Sequence, residues 1–436
     1  MLRMLLLVAL LALNAPAQND AWFETRLANG LRVILVDAPL ADEQVTVAIH
    51  PWGLLDDGAG QAQLAHLAEH VVVRSVAPDE LEPRADGILL KGETMGPTLR
   101  LDVYAPADRW QQALDWHRDM LTGASFEEGQ ADVLLERMVG EIEQEVEMSL
   151  RIRFTQRWAL AAWNQVVRHG KPHVGVQADL RSVDADDVVA AAAARLTANR
   201  DSLLVSIGPV PKDELLAGIT ERFGELPGRR TRRPAPTVAP GQIRSPGSHT
   251  ATWDVGMGHL IHWWLVPDTS PADRAAVDAL SLIVNTRIQQ RGEFGRLGVQ
   301  AVAAADLITP EGRWFMISAS VPDGVDVAMV EAAVDGVVAG LGDLPEASLL
   351  IRSMTEQLTE WPDFADLRTR FSGQDGVEWI EAQQALFLIY AQLNMGLSLE
   401  AVIAAYAALV PSDLEQLARE SLTKEARSRL LLKPGA

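Results

Sequence analysis

The sequence predicts an α+β fold built from two similar halves joined by a linker, on three observations. Strand-like and helix-like segments are mixed along the chain rather than strictly alternating. Their order starts again after a break rich in Pro, Gly and Arg, giving two halves of about 200 residues each. Finally, 48% apolar and 22% charged residues over 436 positions is the composition of a chain that buries a substantial core.

The elements follow from periodicity. Between Trp22 and Ile49 two strands are expected, Leu31–Val36 after the turn pair Asn29-Gly30, then Val45–Ile49. A helix rich in Ala, Leu and Val runs from Gln61 to Arg74, Leu99–Tyr104 alternates as a strand, and Trp110–Leu121 has helical spacing. From Phe126 to Arg151 a long acidic helix is expected, its apolar positions Leu135, Met138, Val139, Ile142 and Val146 recurring at three and four. Helix Val188–Leu196, strand Ser202–Ile207 and helix Asp213–Phe223 complete the first half. The stretch from Gly228 to His249 then carries Arg229, Arg230, Arg232 and Arg233 among prolines and glycines, and reads as a solvated interdomain linker. Beyond it come strand-like Leu260–Val266, helix-like Pro271–Gln290, strand-like Trp314–Val321, and helices over Val325–Leu341 and Ala385–Tyr406.

Arg3, the apolar run Leu5–Leu13 and the small residues of Ala15-Pro16-Ala17 have the order of a secretory signal peptide cleaved after Ala17. The apolar run is roughly half of the ~20 residues that span a bilayer. The expected organisation is therefore a signal peptide over 1–17, a first domain over 18–228, a linker over 229–247 and a second domain over 248–436. The mature chain is expected to be exported, periplasmic or extracellular, with no membrane span.

Composition excludes several classes of chemistry. A net charge of -21 repels phosphate backbones, so no nucleic-acid partner is expected. With no Cys there is no disulfide, thiolate site or Cys nucleophile, and any metal must sit on imidazole, carboxylate or water. There is no GxxxxGK[ST] phosphate loop and no GxSxG elbow, and Gly256-Met257-Gly258 lacks the third glycine of a dinucleotide loop. The twelve Trp read as core and interface packing.

One segment carries chemistry: His66-Leu67-Ala68-Glu69-His70, on the helix from Gln61. Imidazoles at i and i+4 share a face with Cβ atoms about 5 to 6 Å apart, so they can grip one ion. Glu69 is placed to reach a water on that ion. This is the arrangement for zinc-assisted hydrolysis, in which the ion acidifies its water and the carboxylate takes the proton. A largely buried helix holds two imidazoles and a carboxylate cheaply only with a metal or hydrogen bonds. A third ligand is needed, and the acidic helix offers Glu141 and Glu145 on one side of its apolar stripe and Glu136 and Glu143 on the other. Periodicity does not choose between the sides. His169 and His173 are separated by Gly170 and Pro172 and are not expected to be ligands. His259 and His262 fall on opposite faces of a strand and should share no ion.

Leu27-Ala28-Asn29-Gly30-Leu31-Arg32-Val33, Ala65-His66 through His70, and Phe126 through Glu141-Ile142 together resemble the catalytic half of the pitrilysin/insulinase metallopeptidases. His169-Gly170-Lys171-Pro172 with Gly175, Leu203–Gly208, and Phe223-Gly224-Glu225-Leu226-Pro227 extend the resemblance over nearly the whole first half. It is closest to the short bacterial and mitochondrial-processing type. The resemblance implies two homologous α/β-roll domains, two such chains forming a clamshell, His66 and His70 as ligands of one Zn2+ per chain, and Glu69 as general base. An ungapped count from Phe126 puts the third ligand on Glu141; a register anchored on Glu136-Arg137 puts it on Glu143.

The departures are equally specific. Where the family has an Asn-Ala pair on the edge strand that holds substrate, this chain has Met95-Gly96. The Arg and Tyr supplied by the family's second half reduce to Arg291 or Arg296 with Ala301 at the Tyr position, and Leu134 stands where an acidic residue precedes the third ligand. These matches and departures leave two readings. In one the chain is a zinc endopeptidase acting on peptides or unfolded segments, as a homodimer or with a same-fold partner chain that supplies the Arg/Tyr pair. In the other it is a non-catalytic scaffold or binding subunit with a vestigial site.

Overall fold

The fold was analysed in a computed structural model, which describes residues 22–37, 39, 41, 43–76, 87–122, 133, 136–138, 140, 152–197, 199–230, 235–254, 256–299, 301–359 and 399–435. The expected signal peptide, nearly all of the expected acidic helix and most of Ala385–Tyr406 lie outside the described residues.

Twelve strands form two six-stranded mixed sheets. The first holds β1 (Trp22–Arg26), β2 (Arg32–Asp37), β3 (Glu43–His50), β4 (Leu89–Thr94), β5 (Leu99–Pro106) and β7 (Leu203–Gly208), in the order β1-β2-β7-β3-β5-β4. The second holds β6 (His173–Val174), β8 (Ser248–Trp253), β9 (Gly258–Val266), β10 (Val302–Thr309), β11 (Gly312–Val321) and β12 (Ser428–Pro434), in the order β10-β11-β9-β12-β8-β6. Read from β4 and from β10, the two orders correspond strand for strand. The single parallel pair inside each sheet falls at the same place, β2 with β7 and β8 with β12. The outermost pairs differ: β1 runs antiparallel to β2, whereas β6 runs parallel to β8 and is lent by the upstream part of the chain.

Both faces of the strands are covered, which is why they read as apolar runs rather than clean alternation. Along β2 the period-2 geometry sends Val33 and Leu35 into one core and Ile34 and Val36 into the other. Each core draws residues from both sheets. Trp163 stacks at right angles on Trp263, with ring centroids 6.5 Å apart, and meets Trp314 at 5.9 Å, while Trp158 meets Trp253 at 6.1 Å. These contacts join the helix α3 (Ile152–Trp163) to the second sheet, so these five tryptophans pack in the core between the two. Arg168, in the π-helical turn that follows α3, adds an ion pair of 3.3 Å to Glu311, both side chains being buried.

Two helices lie over the sheet edges at matching places. Helix α1 (Leu64–Val76) packs against edge strand β4, and helix α6 (Pro271–Gln290) packs against edge strand β10. Between them along the chain come α2 (Trp110–Thr122), α3, α4 (Ala185–Leu196) and α5 (Lys212–Phe223). Helix α6 begins at a capping box in which Ser270 and Asp273 cap one another's backbone, with Pro271 at the first helical position. Helix α1 takes a cap from eight residues upstream of Ala65. The buried Asp57 carboxylate reaches over from the preceding loop and accepts from the Ala65 N–H at 2.9 Å. The basic stretch before β8 is not wholly solvated either. Pro240–Ile243 forms a helical turn, Ile243 enters the core, and the Val238 N–H bonds to the Arg168 carbonyl at 3.0 Å.

Candidate metal centre

The helical spacing of His66, Glu69 and His70 is realised on α1, where all three side chains are buried, at 1%, 4% and 6% exposure. Their donor atoms lie within 4.8 Å of one another, and among the described residues they are the only such cluster of imidazole and carboxylate groups. The two Nε2 atoms face each other at 3.1 Å. Ligands about 2.0–2.1 Å from a tetrahedral zinc ion lie about 3.3–3.4 Å apart, so the ring spacing fits that ion with only a small adjustment.

Electrostatics favour the ligand form of both rings. Burial, with Arg157 and His70 adding, drives the His66 pKa well below its usual value, and burial with Arg74 and Arg157 takes His70 down to about 3. Both imidazoles are therefore neutral at physiological pH and keep a lone pair for a cation. Two imidazole nitrogens suit zinc better than calcium or magnesium, which take oxygen ligands.

Glu69 is held in place from the sheet. An added Cβ on Gly92 of β4 would lie 2.5 Å from Glu69 Cγ and 2.6 Å from its Oε1, so glycine alone lets the strand pass this close to the carboxylate. The edge strand that faces the site is thus β4, centred on Gly92. This corrects the expectation that Met95-Gly96 takes that role. Those two residues form the turn beyond β4, and their carbonyls accept from the Leu54 and Leu55 N–H groups at 3.0 and 2.8 Å. The same turn explains Gly53, where a Cβ would lie 2.3 Å from the Met95 carbonyl oxygen.

Arg157 is a member of the site that motif reading missed. Its Nη1 lies 3.0 Å from His66 Nε2, although the two residues are 91 apart in sequence. The guanidinium and a metal ion would thus contend for one lone pair.

Of the remaining candidates, those among the described residues do not join this cluster. Glu141, Glu143 and Glu145 lie outside the described residues, as does Leu134. His169 bonds to Thr237 Oγ1 and to the Asp57 carbonyl, both at 3.2 Å, and His173 bonds to Thr252 Oγ1 at 3.0 Å, so the two sit in different surroundings. On β9, His259 contacts Trp253 of one core and His262 contacts Trp264 of the other, in keeping with opposite faces. Arg291 lies beside Gly336 and Gly340, Arg296 is exposed, and Ala301 is buried.

Neither a protein-family model nor any curated protein matches the sequence. Solved structures do match. The chain is similar to a protease from Helicobacter pylori at 14% identity and a TM-score of 0.67, covering 95% of this chain and 99% of that one. It is similar to the peptidase M16 inactive domain from Pseudomonas fluorescens at 14% identity and a TM-score of 0.59, covering 95% and 98%. The periplasmic protease PqqL from Escherichia coli matches at 15% identity and a TM-score of 0.53, with 96% of this chain covered and 48% of that one. At such identities the likeness establishes a peptidase-like fold, and chemistry has to be argued from the site.

Proposed function

We propose that the chain is a zinc-dependent endopeptidase, hydrolysing peptides or unfolded segments. The observation that carries this reading is the buried trio on α1, with two neutral imidazole nitrogens 3.1 Å apart and a carboxylate within 4.8 Å. In this reading His66 and His70 hold the ion and Glu141 is the third ligand, with Glu143 the other candidate on the acidic helix. Bound zinc supplies Lewis-acid polarisation of a carbonyl and a more acidic water. Glu69 takes the proton from the attacking water and passes it to the departing amine. Gly92 keeps that carboxylate hard against β4. As the last strand of its sheet among the described residues, β4 offers backbone groups to an extended peptide, which orders the scissile bond beside Glu69.

The family's Arg/Tyr pair is supplied, in this proposal, by a second chain of the same fold, in a homodimer or a heterodimer. Export rests on the N-terminal pattern of Arg3, Leu5–Leu13 and Ala15-Pro16-Ala17; a periplasmic protein stands among the similar structures. No helix among the described residues is long and apolar enough to cross a membrane.

A second reading, a non-catalytic subunit with a vestigial site, is favoured by one observation: the Arg157 guanidinium sits on the His66 lone pair that a metal needs. Glu69→Gln separates the two. On the catalytic reading it leaves zinc bound and abolishes peptide hydrolysis by the purified protein, alone or with its partner chain. A parent protein without turnover, or a variant with unchanged turnover, contradicts it.

A further inference from the structure

We propose that Gln63, one turn before His66, is a positioning residue that fixes the His66 ring in the tautomer whose Nε2 lone pair faces His70; the proposal rests on the zinc reading above.

The tautomer follows from hydrogen-bond chemistry alone. Arg157 can only donate, and its Nη1 lies 3.0 Å from His66 Nε2, so Nε2 must carry a lone pair. The ring proton is then on Nδ1. That atom lies 3.0 Å from Gln63 Oε1, which accepts it. Amide oxygen on Nδ1–H and lone pair on Nε2 is the arrangement in which ligating histidines are usually held by an outer partner.

Gln63 has no evident structural reason to be glutamine. Among the described residues it is the only non-glycine with a positive φ, +70°, a conformation that favours glycine. Its side chain is completely buried, and its amide Nε2 finds no partner among the described residues. A glycine would relax the backbone and remove a buried polar group. The helix start does not need the side chain either, since Asp57 caps Ala65 and the Gln63 carbonyl bonds to the Leu67 N–H at 2.9 Å through the backbone. What the side chain does touch is the His66 ring, and residues held in strained conformations gather where geometry serves a site.

The test uses the full chain with Zn2+ alone as probe. Chelator competition gives the Zn2+ affinity, and two-dimensional NMR of 15N-histidine-labelled, metal-free protein gives the His66 tautomer. Gln63→Gly should lower Zn2+ affinity about 10- to 100-fold, shift His66 away from the Nδ1–H form, and leave the thermal midpoint unchanged or higher. Gln63→Glu, whose carboxylate also accepts from Nδ1–H, should keep both the tautomer and the affinity. A glycine variant with the parent's tautomer and affinity overturns the proposal, as does a glutamate variant that loses them. If the parent takes up no Zn2+, the zinc reading fails, while the tautomer measurement on the metal-free chain still decides the role of Gln63.

Discussion

Helix α1 over β4 and helix α6 over β10 occupy matching places in two sheets of the same strand order, yet they bury different chemistry. On α6 the polar residue is Asp278, which accepts from the Tyr406 hydroxyl at 2.6 Å and is paired with Arg313, itself 2.8 Å from Asp306. Edge strand β10 is occupied too: Asn285 of α6 donates to the Ala304 carbonyl at 2.9 Å and accepts from its N–H at 2.7 Å. On α1 the buried groups are two neutral imidazoles facing each other and a carboxylate against Gly92. Among the described contacts, no side chain is seen to bond the β4 backbone in the way that Asn285 bonds β10. The second helix has its buried charges paired and its strand edge bonded, which leaves little for a ligand. The first places two imidazoles and a carboxylate together beside an edge strand. One frame thus hosts a closed ion-pair network and a candidate metal centre, and the difference lies in a few side chains.

This contrast breaks most visibly at Arg313. Replacement by Met leaves Asp278 buried without its cation, and removing one partner of a buried pair costs about 3–5 kcal/mol. Chemical denaturation should show that loss in Arg313→Met; a loss below about 1 kcal/mol would mean the network is not what closes the second half. Next in size, Gly92→Ala pushes a methyl group into Glu69, whose Cγ would be 2.5 Å away. Misplacing a catalytic group by about 1 Å costs on the order of 100-fold in rate. Turnover should fall by that order with Zn2+ content unchanged, and parent-like turnover would show that β4 does not hold the carboxylate.

The smallest effect is on acid stability and is shared by both halves. Burial, with His117 nearby, lowers His50 to about 3 in the first half; burial lowers His117 to about 4, and burial with Arg427 lowers His262 to about 3 in the second. The unfolded chain takes up protons near 6.5, where these buried rings do not. The stability they contribute is complete above pH 6.5 and is lost progressively as pH falls toward 3–4. Denaturant midpoints should drop from pH 7 to pH 6 and more steeply to pH 5. His262→Leu should make the decline shallower, and an unchanged slope would place the acid sensitivity elsewhere.

Local pattern carried the elements whose signal is local. The i, i+4 histidines and helix α6 from Pro271 to Gln290 are readable from helical spacing, and strand β3 from its short run of β-branched residues. Strand β4 is harder to read: Leu89–Thr94 contains Lys91, Gly92 and Glu93, half-buried at the sheet edge, while the resemblance points to Met95-Gly96 just beyond it. The isolated glycine was the available signal, since glycine inside a strand marks a close approach. Strand β6 has only two residues and exists because the downstream sheet pairs with it. Arg157 and Gln63 carry no motif of their own. Their roles come from a ring brought to them by folding, over 91 residues in one case, which no spacing rule encodes.

The most direct test of the central claim is the zinc content of the purified full-length chain, measured by metal analysis beside His66→Ala. The account predicts one zinc per chain in the parent and a marked loss in the variant, with both proteins folded. A folded parent without zinc, or a variant that keeps the parent's content, would contradict it.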